Sequence, residues 1–204
     1  EKQPESSKKN VDKHNQEKNK LTKKWSSLLK KPTKKDLVKS ETSLVDPDYN
    51  RKKLFSKGIN LMADLKLEDA SRVFELVLRS NPDDVYSLLK LGYCRFHLED
   101  YSESMRAYDK VLDIDVTNAD AWNLKSLVYY ERKTYAKALD CADKAIDSDP
   151  TFGMAWYNRS CYLSLENQIP ESLDALVRSI EIDVKNAKRA VKDKDFMNVR
   201  FEEG

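Results

Sequence analysis

Few residues of this chain have the types and spacing that catalysis or metal binding requires. The histidines His14 and His97 have no partner at ligand spacing, and the cysteines Cys94, Cys141 and Cys161 form no CxxC pair. A metal site needs a cluster of Cys, His or carboxylate ligands. A phosphate-binding loop needs closely spaced glycines, and the four glycines here stand far apart. We therefore expect that the protein is not an enzyme and needs neither a cofactor nor a metal.

Two acidic pairs are the remaining candidates for chemistry. Asp113 and Asp115 stand 34 residues before Asp147 and Asp149. Both pairs fall where helices are predicted to end, and Asp is favoured in turns and at the cap that opens a following helix. We interpret them as solvated turn residues rather than as metal or acid–base sites. The cysteines are interpreted as buried, reduced thiols, which are typical of a cytoplasmic protein.

The composition favours long helices and divides the chain into a basic and an acidic part. Its 204 residues include only 4 Gly and 6 Pro, and 35% are charged. So few turn-forming residues argue against a sandwich or a barrel. Residues 1–40 hold 13 Lys and 5 acidic residues, a net charge of +8, whereas residues 41–204 carry a net −6. No apolar run approaches the roughly 20 residues that span a bilayer, so we do not expect an integral membrane protein.

A repeat of 34 residues runs through the acidic part. Rows of this length can be drawn at 51–84, 85–118, 119–152 and 153–186, and they align nearly every apolar residue. The residues at position 4 of the rows are Leu54, Leu88, Trp122 and Trp156, those at position 8 are Gly58, Gly92, Ser126 and Ser160, and those at position 24 are Phe74, Tyr108, Ala142 and Leu176. A fixed internal period of this kind indicates a repeat architecture.

Each row has the pattern of a helical hairpin. Apolar residues follow the 3.6-residue period on two successive segments of every row. The small residues at positions 8 and 20 allow two helices to approach closely. One hairpin cannot bury its own apolar stripe, so four of them are predicted to stack into a solenoid with a continuous core.

The rows resemble the tetratricopeptide repeat (TPR) family. The segments 121–126 and 155–160 read AWNLKS and AWYNRS and are similar to the AWxNKG variant of archaeal and bacterial members. The resemblance covers residues 51–186 and implies an all-α, right-handed solenoid of four TPR hairpins within residues 46–186. It also implies a closing element, so residues 187–204 are expected to form a capping helix and a tail.

One departure from the family pattern concerns position 7. Lys57, Lys125 and Arg159 stand where the family usually has Leu. We expect their aliphatic stems to pack against the solenoid and their charged heads to lie in water or on a carboxylate.

The resemblance also implies where a partner would bind. In TPR solenoids the first helices of the hairpins line a concave surface, to which positions 2, 5, 9, 12 and 13 contribute. Family members that clamp a terminal carboxylate have Lys and Asn where this chain has Phe55 and Ile59, so that clamp is not expected here. We expect instead an apolar groove that binds a peptide or helix through large side chains. The candidate groove residues are Phe55, Ile59, Met62, Tyr86, Leu89, Tyr93, Phe96, His97, Asn123, Leu127, Tyr130 and Tyr157.

Residues 1–45 are predicted to form a basic, largely flexible arm. Within it, residues 21–31 have the spacing of a short amphipathic helix, with Leu21, Trp25, Leu28 and Leu29 on one side. Three interpretations stay open. The segment docks on a TPR surface as a latch, it lies on an anionic membrane or nucleic acid, or it is a linker.

The sequence therefore predicts a cytoplasmic adaptor that holds a partner peptide or helix in its groove, with a latch formed by its own amphipathic segment as one of the open interpretations. The alternative is a protein tethered to a polyanion by the Lys-rich arm, with the repeats serving assembly. Contact with nucleic acid or a membrane is the less favoured of the two, and against nucleic acid stands the absence of Arg from the arm, since Arg makes bidentate phosphate contacts. The partner's identity and any self-association stay open.

Overall fold

The structure, a computed structural model, describes residues 47–196 of the chain. The predicted basic arm, its amphipathic helix at 21–31 and its docking residues (Leu21, Trp25, Leu28 and Leu29) lie outside the described residues. The end of the predicted tail, 197–204, also lies outside them. What was predicted for these segments stays a prediction.

Residues 47–196 form nine α-helices and one short 3₁₀ helix, and this range contains no strand. Helices α1 to α8 each contact chiefly their neighbours along the chain, which is the arrangement of a solenoid. The predicted all-α solenoid of four hairpins with a C-terminal capping helix is confirmed. The helices are α1 (Pro47–Ala63), α2 (Leu67–Ser80), α3 (Val85–His97), α4 (Tyr101–Ile114), α5 (Ala119–Glu131), α6 (Tyr135–Ser148), α7 (Gly153–Leu165), α8 (Ile169–Ile182) and α9 (Lys185–Ala190), and the 3₁₀ helix is Lys194–Phe196.

Polar side chains determine where several helices begin. Asp84, Asp100 and Asn118 precede α3, α4 and α5, and each accepts a hydrogen bond from the backbone N–H three residues later. Such caps satisfy an N–H group that has no partner within the helix. Helices α3, α5 and α7 begin at residues 85, 119 and 153, which are the first residues of the predicted rows.

The two helices of the first and second hairpins meet where a glycine faces an aromatic ring. A Cβ atom added to Gly58 would lie 2.7 Å from the Phe74 ring, and one added to Gly92 would lie even closer to the Tyr108 ring. Phe74 and Tyr108 are almost fully buried. Glycine is required at both positions because any larger residue would overlap with a ring that is held by its surroundings.

The turn inside each hairpin contains a residue with a left-handed backbone conformation. These residues are Leu65, Glu99, Lys133 and Asn167, with φ between 55° and 60°. They stand 34 residues apart, so the repeat fixes the turn geometry as well as the packing. None of them is glycine, although glycine adopts this conformation most readily.

Successive hairpins are joined by ion pairs between an acid on one second helix and a base on the next first helix. Asp109 pairs with Lys125 at 2.5 Å, and Asp143 pairs with Arg159 at 2.7 Å. The first interface uses Glu75 and Arg95, also at 2.5 Å. The acids all occupy position 25 of their rows. The bases at position 7 of the third and fourth rows therefore lie on carboxylates, which was one of the two outcomes expected for them.

The last α-helix, α9, is a short counterpart of the first helix of a fifth row. Helix α9 stands where a fifth row would begin, and Ala190 is buried at position 4, where the fourth row has Trp156. The side-chain amide of Asn186 donates to the backbone carbonyl of Ser179 at 3.1 Å and ties α9 to α8. The helix then stops after six residues. Across residues 47–196, none of the helices is both long and apolar enough to pass through a bilayer.

Candidate partner-binding groove

The candidate groove residues of α3 include the most accessible ones. Tyr86 is 72% exposed and Tyr93 is 37% exposed, and His97 is exposed as well. The Tyr93 and His97 rings lie 4.2 Å apart between centroids, and the half-buried Phe96 ring lies edge-on to His97 at 5.2 Å. Helix α3 therefore presents a set of adjoining rings to solvent.

The candidate residues of α1 are partly buried against the core. Phe55, Ile59 and Met62 pack against the cluster that contains Phe74, and the Phe55 and Phe74 rings meet edge-on at 5.7 Å. Leu89 of α3 packs against the next cluster in the same partly buried manner. Each of these side chains keeps some exposed surface while contributing to the core, as the floor of the predicted groove would require.

Two candidate residues of α5 differ in accessibility. Leu127 is half-buried, as a groove residue should be. Asn123 is only 5% exposed, and its side-chain oxygen accepts a hydrogen bond of 2.8 Å from the Asn158 amide. The prediction that Asn123 meets a partner is therefore wrong for this structure. The reason is that a buried amide must be paired, and this one joins the third hairpin to the fourth.

The first helices of the last two hairpins contact the chain's own C-terminal segment 193–196 on the side where the groove was predicted. The Tyr157 hydroxyl donates to the Asp193 carboxylate at 2.7 Å, and the Tyr130 hydroxyl donates to the Asp195 carboxylate at 3.1 Å. Tyr157 is 3% exposed. Tyr130 and Tyr157 were predicted to line a free groove. In the structure they contact segment 193–196 instead. They hold the segment that closes the groove's end.

An aromatic anchor completes this contact. Phe196 is 2% exposed and belongs to the cluster that contains Tyr157, Tyr162 and Ala190. The Phe196 and Tyr157 rings meet edge-on at 5.8 Å. The Ser164 hydroxyl also donates to the backbone carbonyl of Asp195. Segment 193–196 is therefore bound through one ring, two carboxylates and one backbone carbonyl.

The electrostatics of this end of the groove follow from its partial burial. Burial raises the pKa of the Tyr130 and Tyr157 hydroxyls, and the carboxylates that accept from them raise it further. Burial also raises the pKa of the Asp195 carboxyl, with a further contribution from the nearby negative charge of Asp193. Both hydroxyls therefore stay protonated at neutral pH and act as donors.

One group here has the composition of a metal site. Cys161, Asp193 and Asp195 each place a ligand-type atom within 4.8 Å of the others. Burial and the two neighbouring carboxylates raise the pKa of the Cys161 thiol, which disfavours the thiolate that binds metals. Both carboxylates already accept hydrogen bonds from tyrosines. The group is explained by the docking of segment 193–196.

Sequence reasoning predicted residues 187–204 as a cap but missed that Asp193, Asp195 and Phe196 contact the first helices of the last two hairpins. The row register carried no signal for this contact, because it places Asp193 at position 7 of a fifth row, and only the structure shows that α9 ends at Ala190. A chain that leaves its helix at that point can fold back onto the preceding first helix.

Two family models match the chain. The model described as tetratricopeptide repeat matches residues 55–118. The model described as intraflagellar transport protein 56 matches residues 88–154. The two matches overlap and together cover the first three hairpins.

Two curated proteins are similar to parts of the chain. Anaphase-promoting complex subunit 3 of Schizosaccharomyces pombe is 32% identical over 84 residues, which are 37% of this chain and 13% of that protein. Tetratricopeptide repeat-containing protein trd-1 of Caenorhabditis elegans is 29% identical over 82 residues, 40% of this chain and 11% of that protein. The chain matches only about an eighth of the length of these relatives. Both are eukaryotic, and the archaeal or bacterial character of the repeat variant stays a prediction.

Solved structures share the fold. A thermophilic TPR protein of Thermus thermophilus, TTC0263, superposes with a TM-score of 0.64 at 14% identity, covering 73% of this chain and 82% of that one. MamA (41-end) from Desulfovibrio magneticus RS-1 superposes with a TM-score of 0.59 at 19% identity, covering 69% and 77%. At these identities the likeness concerns the solenoid alone.

Proposed function

Because the chain is a tetratricopeptide repeat protein, we propose that it is an adaptor that binds a partner peptide or helix along the groove of its first three hairpins. Proteins of this family generally mediate contacts between proteins. The accessible residues of α1, α3 and α5 support this choice of surface and this kind of partner.

The observation that carries this proposal is the set of exposed rings on α3. Tyr86, Tyr93 and His97 lie on one helix, and the latter two contact each other while remaining accessible. Tyrosine is enriched among the residues that dominate binding energy in interfaces. When a partner covers a tyrosine, burial of the ring contributes binding free energy and the hydroxyl can keep a hydrogen bond.

The closed end limits the length of the bound segment. Segment 193–196 occupies the groove as far as Tyr130 on α5. The accessible stretch therefore extends from Phe55 on α1 across Tyr93 on α3 to Leu127 on α5. Its partly buried floor supplies apolar contact, and its exposed α3 rings supply anchors. This is the arrangement that an amphipathic helix or an extended apolar peptide fits.

We expect binding rather than catalysis, with no cofactor. Cys94, Cys141 and Cys161 are free and buried, which suits a reducing compartment such as the cytoplasm. The predicted latch at residues 21–31 and the alternative of a polyanion tether both rest on residues 1–45 and stay predictions.

Site-specific photo-crosslinking tests the groove. A photoreactive phenylalanine analogue is placed at Tyr93 in the full chain, and crosslinked proteins are identified by mass spectrometry. The control carries the same analogue at Val116, which is 67% exposed and lies in the loop between α4 and α5. We expect a specific partner at residue 93 that is not crosslinked at residue 116.

A second measurement distinguishes binding in the groove from binding by the basic residues 1–45. In the double variant Tyr86→Ala, Tyr93→Ala, capture of that partner should fall at least tenfold, while the thermal unfolding midpoint stays unchanged. Raising the salt from about 50 to 200 mM should weaken contacts made to a polyanion strongly and groove binding little. Equal crosslinking at residues 93 and 116, or capture lost only to salt, would refute the groove.

A further inference from the structure

The first helices of the last two hairpins bind a peptide, which is the chain's own segment 193–196 with the sequence DKDF. Both acids of this segment accept a hydrogen bond from a tyrosine of the solenoid, and its phenylalanine ring is buried. The lysine between the two acids is exposed. The bound sequence is therefore acid–x–acid–aromatic, in which x is open to solvent.

The residues that bind the segment form what we call the α5–α7 site (Tyr130, Tyr157, Tyr162 and Ser164). Tyr130 and Tyr157 donate to the two carboxylates, and the Ser164 hydroxyl donates to a backbone carbonyl of the segment. Tyr157 and Tyr162 belong to the cluster that contains the buried ring. Tyr130 and Ser164 stand at position 12 of their rows and Tyr157 at position 5, which are positions that the family resemblance assigns to partner binding.

The α5–α7 site is held in place by contacts within the solenoid. The Tyr130 ring packs against the Tyr135 and Tyr162 rings, with 6.0 and 5.7 Å between centroids. Tyr162 is 1% exposed, and its hydroxyl lies 3.0 Å from the Ser126 hydroxyl in a hydrogen bond. None of these contacts involves segment 193–196. A peptide from another protein therefore meets groups that are already positioned, which lowers the cost of binding.

We propose that the α5–α7 site also binds a segment of another protein with the sequence acid–x–acid–aromatic, which displaces residues 193–196. The carboxylates of that segment accept from the two tyrosine hydroxyls, and its ring fills the place that Phe196 leaves. An aromatic ring is favoured there, because the Phe196 and Tyr157 rings meet edge-on at 5.8 Å and this arrangement adds to the gain from burial. This ligand is acidic, unlike the apolar partner of the first three hairpins.

The connection of segment 193–196 to the solenoid allows its displacement. Val191 and Lys192 join it to α9, and both are exposed, so the segment can move away without removing a side chain of this connection from the core. Helix α9 stays tied to α8, because the Asn186 amide donates to the Ser179 carbonyl at 3.1 Å. Displacement therefore costs the contacts of four residues, which the external segment replaces.

The bound segment also carries an electrostatic cost. Burial raises the pKa of the Asp195 carboxyl, the charges of Asp193 and Glu131 raise it further, and the hydrogen bond from Tyr130 offsets this only in part. A raised pKa means that the carboxylate is less stable in the site than in water. The segment is therefore held less tightly than its contacts alone indicate, which favours exchange.

The external segment competes with one that is tethered. A tethered segment has an effective concentration on the order of millimolar, so a partner needs additional contacts to replace it. Leu127 lies one turn before Tyr130 on α5 and is half-buried, and a longer partner segment can extend onto it. A short peptide should bind the wild type weakly and bind more tightly once segment 193–196 has left the site.

Fluorescence anisotropy of the full chain with the labelled peptide KDKDF, the sequence of residues 192–196, tests this expectation. In the variant Phe196→Ala the site is open, and we expect the dissociation constant of the peptide to fall at least tenfold relative to the wild type. The control Val191→Ala changes an exposed residue next to the same segment and should leave the constant unchanged. Adding Tyr157→Phe to Phe196→Ala should weaken binding about tenfold again, since a hydrogen bond to a carboxylate is lost.

Altered peptides test the recognised sequence without any change to the protein. The peptide KDKDA removes the ring, and the peptide FKDDK keeps composition and charge but loses the spacing of the acids and the ring. Each should bind the Phe196→Ala variant at least tenfold more weakly than KDKDF does. Equal binding of FKDDK would mean that charge alone attracts the peptide, and it would overturn the proposal.

The wild-type chain supplies a measurement that needs no variant. A KDKDF peptide with a photoreactive analogue of its phenylalanine, at millimolar concentration, should crosslink within residues 138–162, which surround Phe196. Crosslinks spread over the chain, or no gain in affinity in Phe196→Ala, would make segment 193–196 a fixed cap. A wild-type mass that doubles with concentration in sedimentation would assign the site to the segment of a second copy instead. Each of these results would overturn the proposal.

Discussion

The first two hairpins and the last two follow the same 34-residue period but fill their interiors with different chemistry. In the first two, Gly58 and Gly92 lie against the Phe74 and Tyr108 rings. In the third, the equivalent position is Ser126, whose hydroxyl hydrogen-bonds to the Tyr162 hydroxyl at 3.0 Å. One half is therefore held by close contact between backbone and ring, and the other half by a buried polar network.

The two halves also differ in the surface of their first helices, which is covered in one half and exposed in the other. Over the last two hairpins, segment 193–196 satisfies the Tyr130 and Tyr157 hydroxyls and buries Phe196. Over the first two, Tyr86 and Tyr93 stay exposed. The difference teaches that a repeat sets the backbone, whereas each side chain on this surface is free either to bind a partner or to hold another part of the same chain. The surface available to a partner is the part that the chain does not fill itself.

Removing the aromatic anchor should convert the closed half into an open one. The variant Phe196→Ala loses a ring that is 2% exposed, and such truncations cost about 3–5 kcal/mol. Because the ring belongs to a terminal segment, we expect local release of segment 193–196 while the solenoid stays folded. Hydrogen exchange should accelerate in α7 and α9 and stay unchanged in α1 to α4.

Val191→Ala is the matched control for this variant, since Val191 is close to the same segment but 73% exposed. Its exchange pattern should equal that of the wild type. If Phe196→Ala also left α7 and α9 unchanged, the segment would contribute nothing to that half, and the contrast between an open and a closed groove would be lost.

The fold was predictable because its determinants repeat. Small residues at position 8 and apolar residues at position 4 recur in every row, and four concordant rows specify the hairpins. The left-handed turn residues repeat just as strictly, yet no sequence signal marked them. Leu65, Glu99 and Lys133 are not the residue types that favour this conformation, and the geometry is held by backbone hydrogen bonds that close each helix, such as the one from the Lys66 N–H to the Leu61 carbonyl at 2.9 Å.

The candidate site was less predictable because burial depends on neighbours far along the chain. Tyr93 and Tyr130 both contribute to the groove side of first helices, but only Tyr130 has a carboxylate from residue 195 in contact. Asn123 has the residue type of a binding position, and it is buried because Asn158 of the next hairpin pairs with it. Such pairings join residues 35 or more positions apart, and no local pattern indicates them.

Adding one methyl group should distinguish the interiors of the two halves. In Gly92→Ala, the new Cβ would overlap with the Tyr108 ring, which is 1% exposed. Overpacking of this kind costs about 1–3 kcal/mol, and we expect the upper part of that range because the ring has little room to move. Urea denaturation monitored by circular dichroism measures the loss.

The counterpart in the third hairpin is Ser126→Ala, which adds no atom and removes a buried hydroxyl that bonds to Tyr162. The same hydroxyl also donates to the Asn123 backbone carbonyl at 2.7 Å, so two bonds are lost, at about 1 kcal/mol each. The contrast between the halves requires that Gly92→Ala be the more damaging of the two. Equal losses would mean that Tyr108 moves aside and that glycine is not required in the second hairpin.

The smallest expected effect concerns the turns, where the halves differ by residue type at the same geometry. Leu65 in the first hairpin has φ 58° and is 82% exposed. A non-glycine residue in this conformation costs about 1–2 kcal/mol. Leu65→Gly removes that cost but adds roughly 0.5–1 kcal/mol of backbone entropy. We therefore expect a net gain of about 0.5–1 kcal/mol, measured by urea denaturation.

Asn167 holds the equivalent turn of the fourth hairpin at φ 59°. Asparagine adopts the left-handed region more readily than leucine because its short polar side chain can hydrogen-bond locally. Asn167→Gly should therefore change the free energy of unfolding by only a few tenths of a kcal/mol. A gain in the free energy of unfolding for Leu65→Gly but not for Asn167→Gly would show that the strain belongs to the leucine. Equal gains at both would place it in the turn itself, and then the two halves do not differ there.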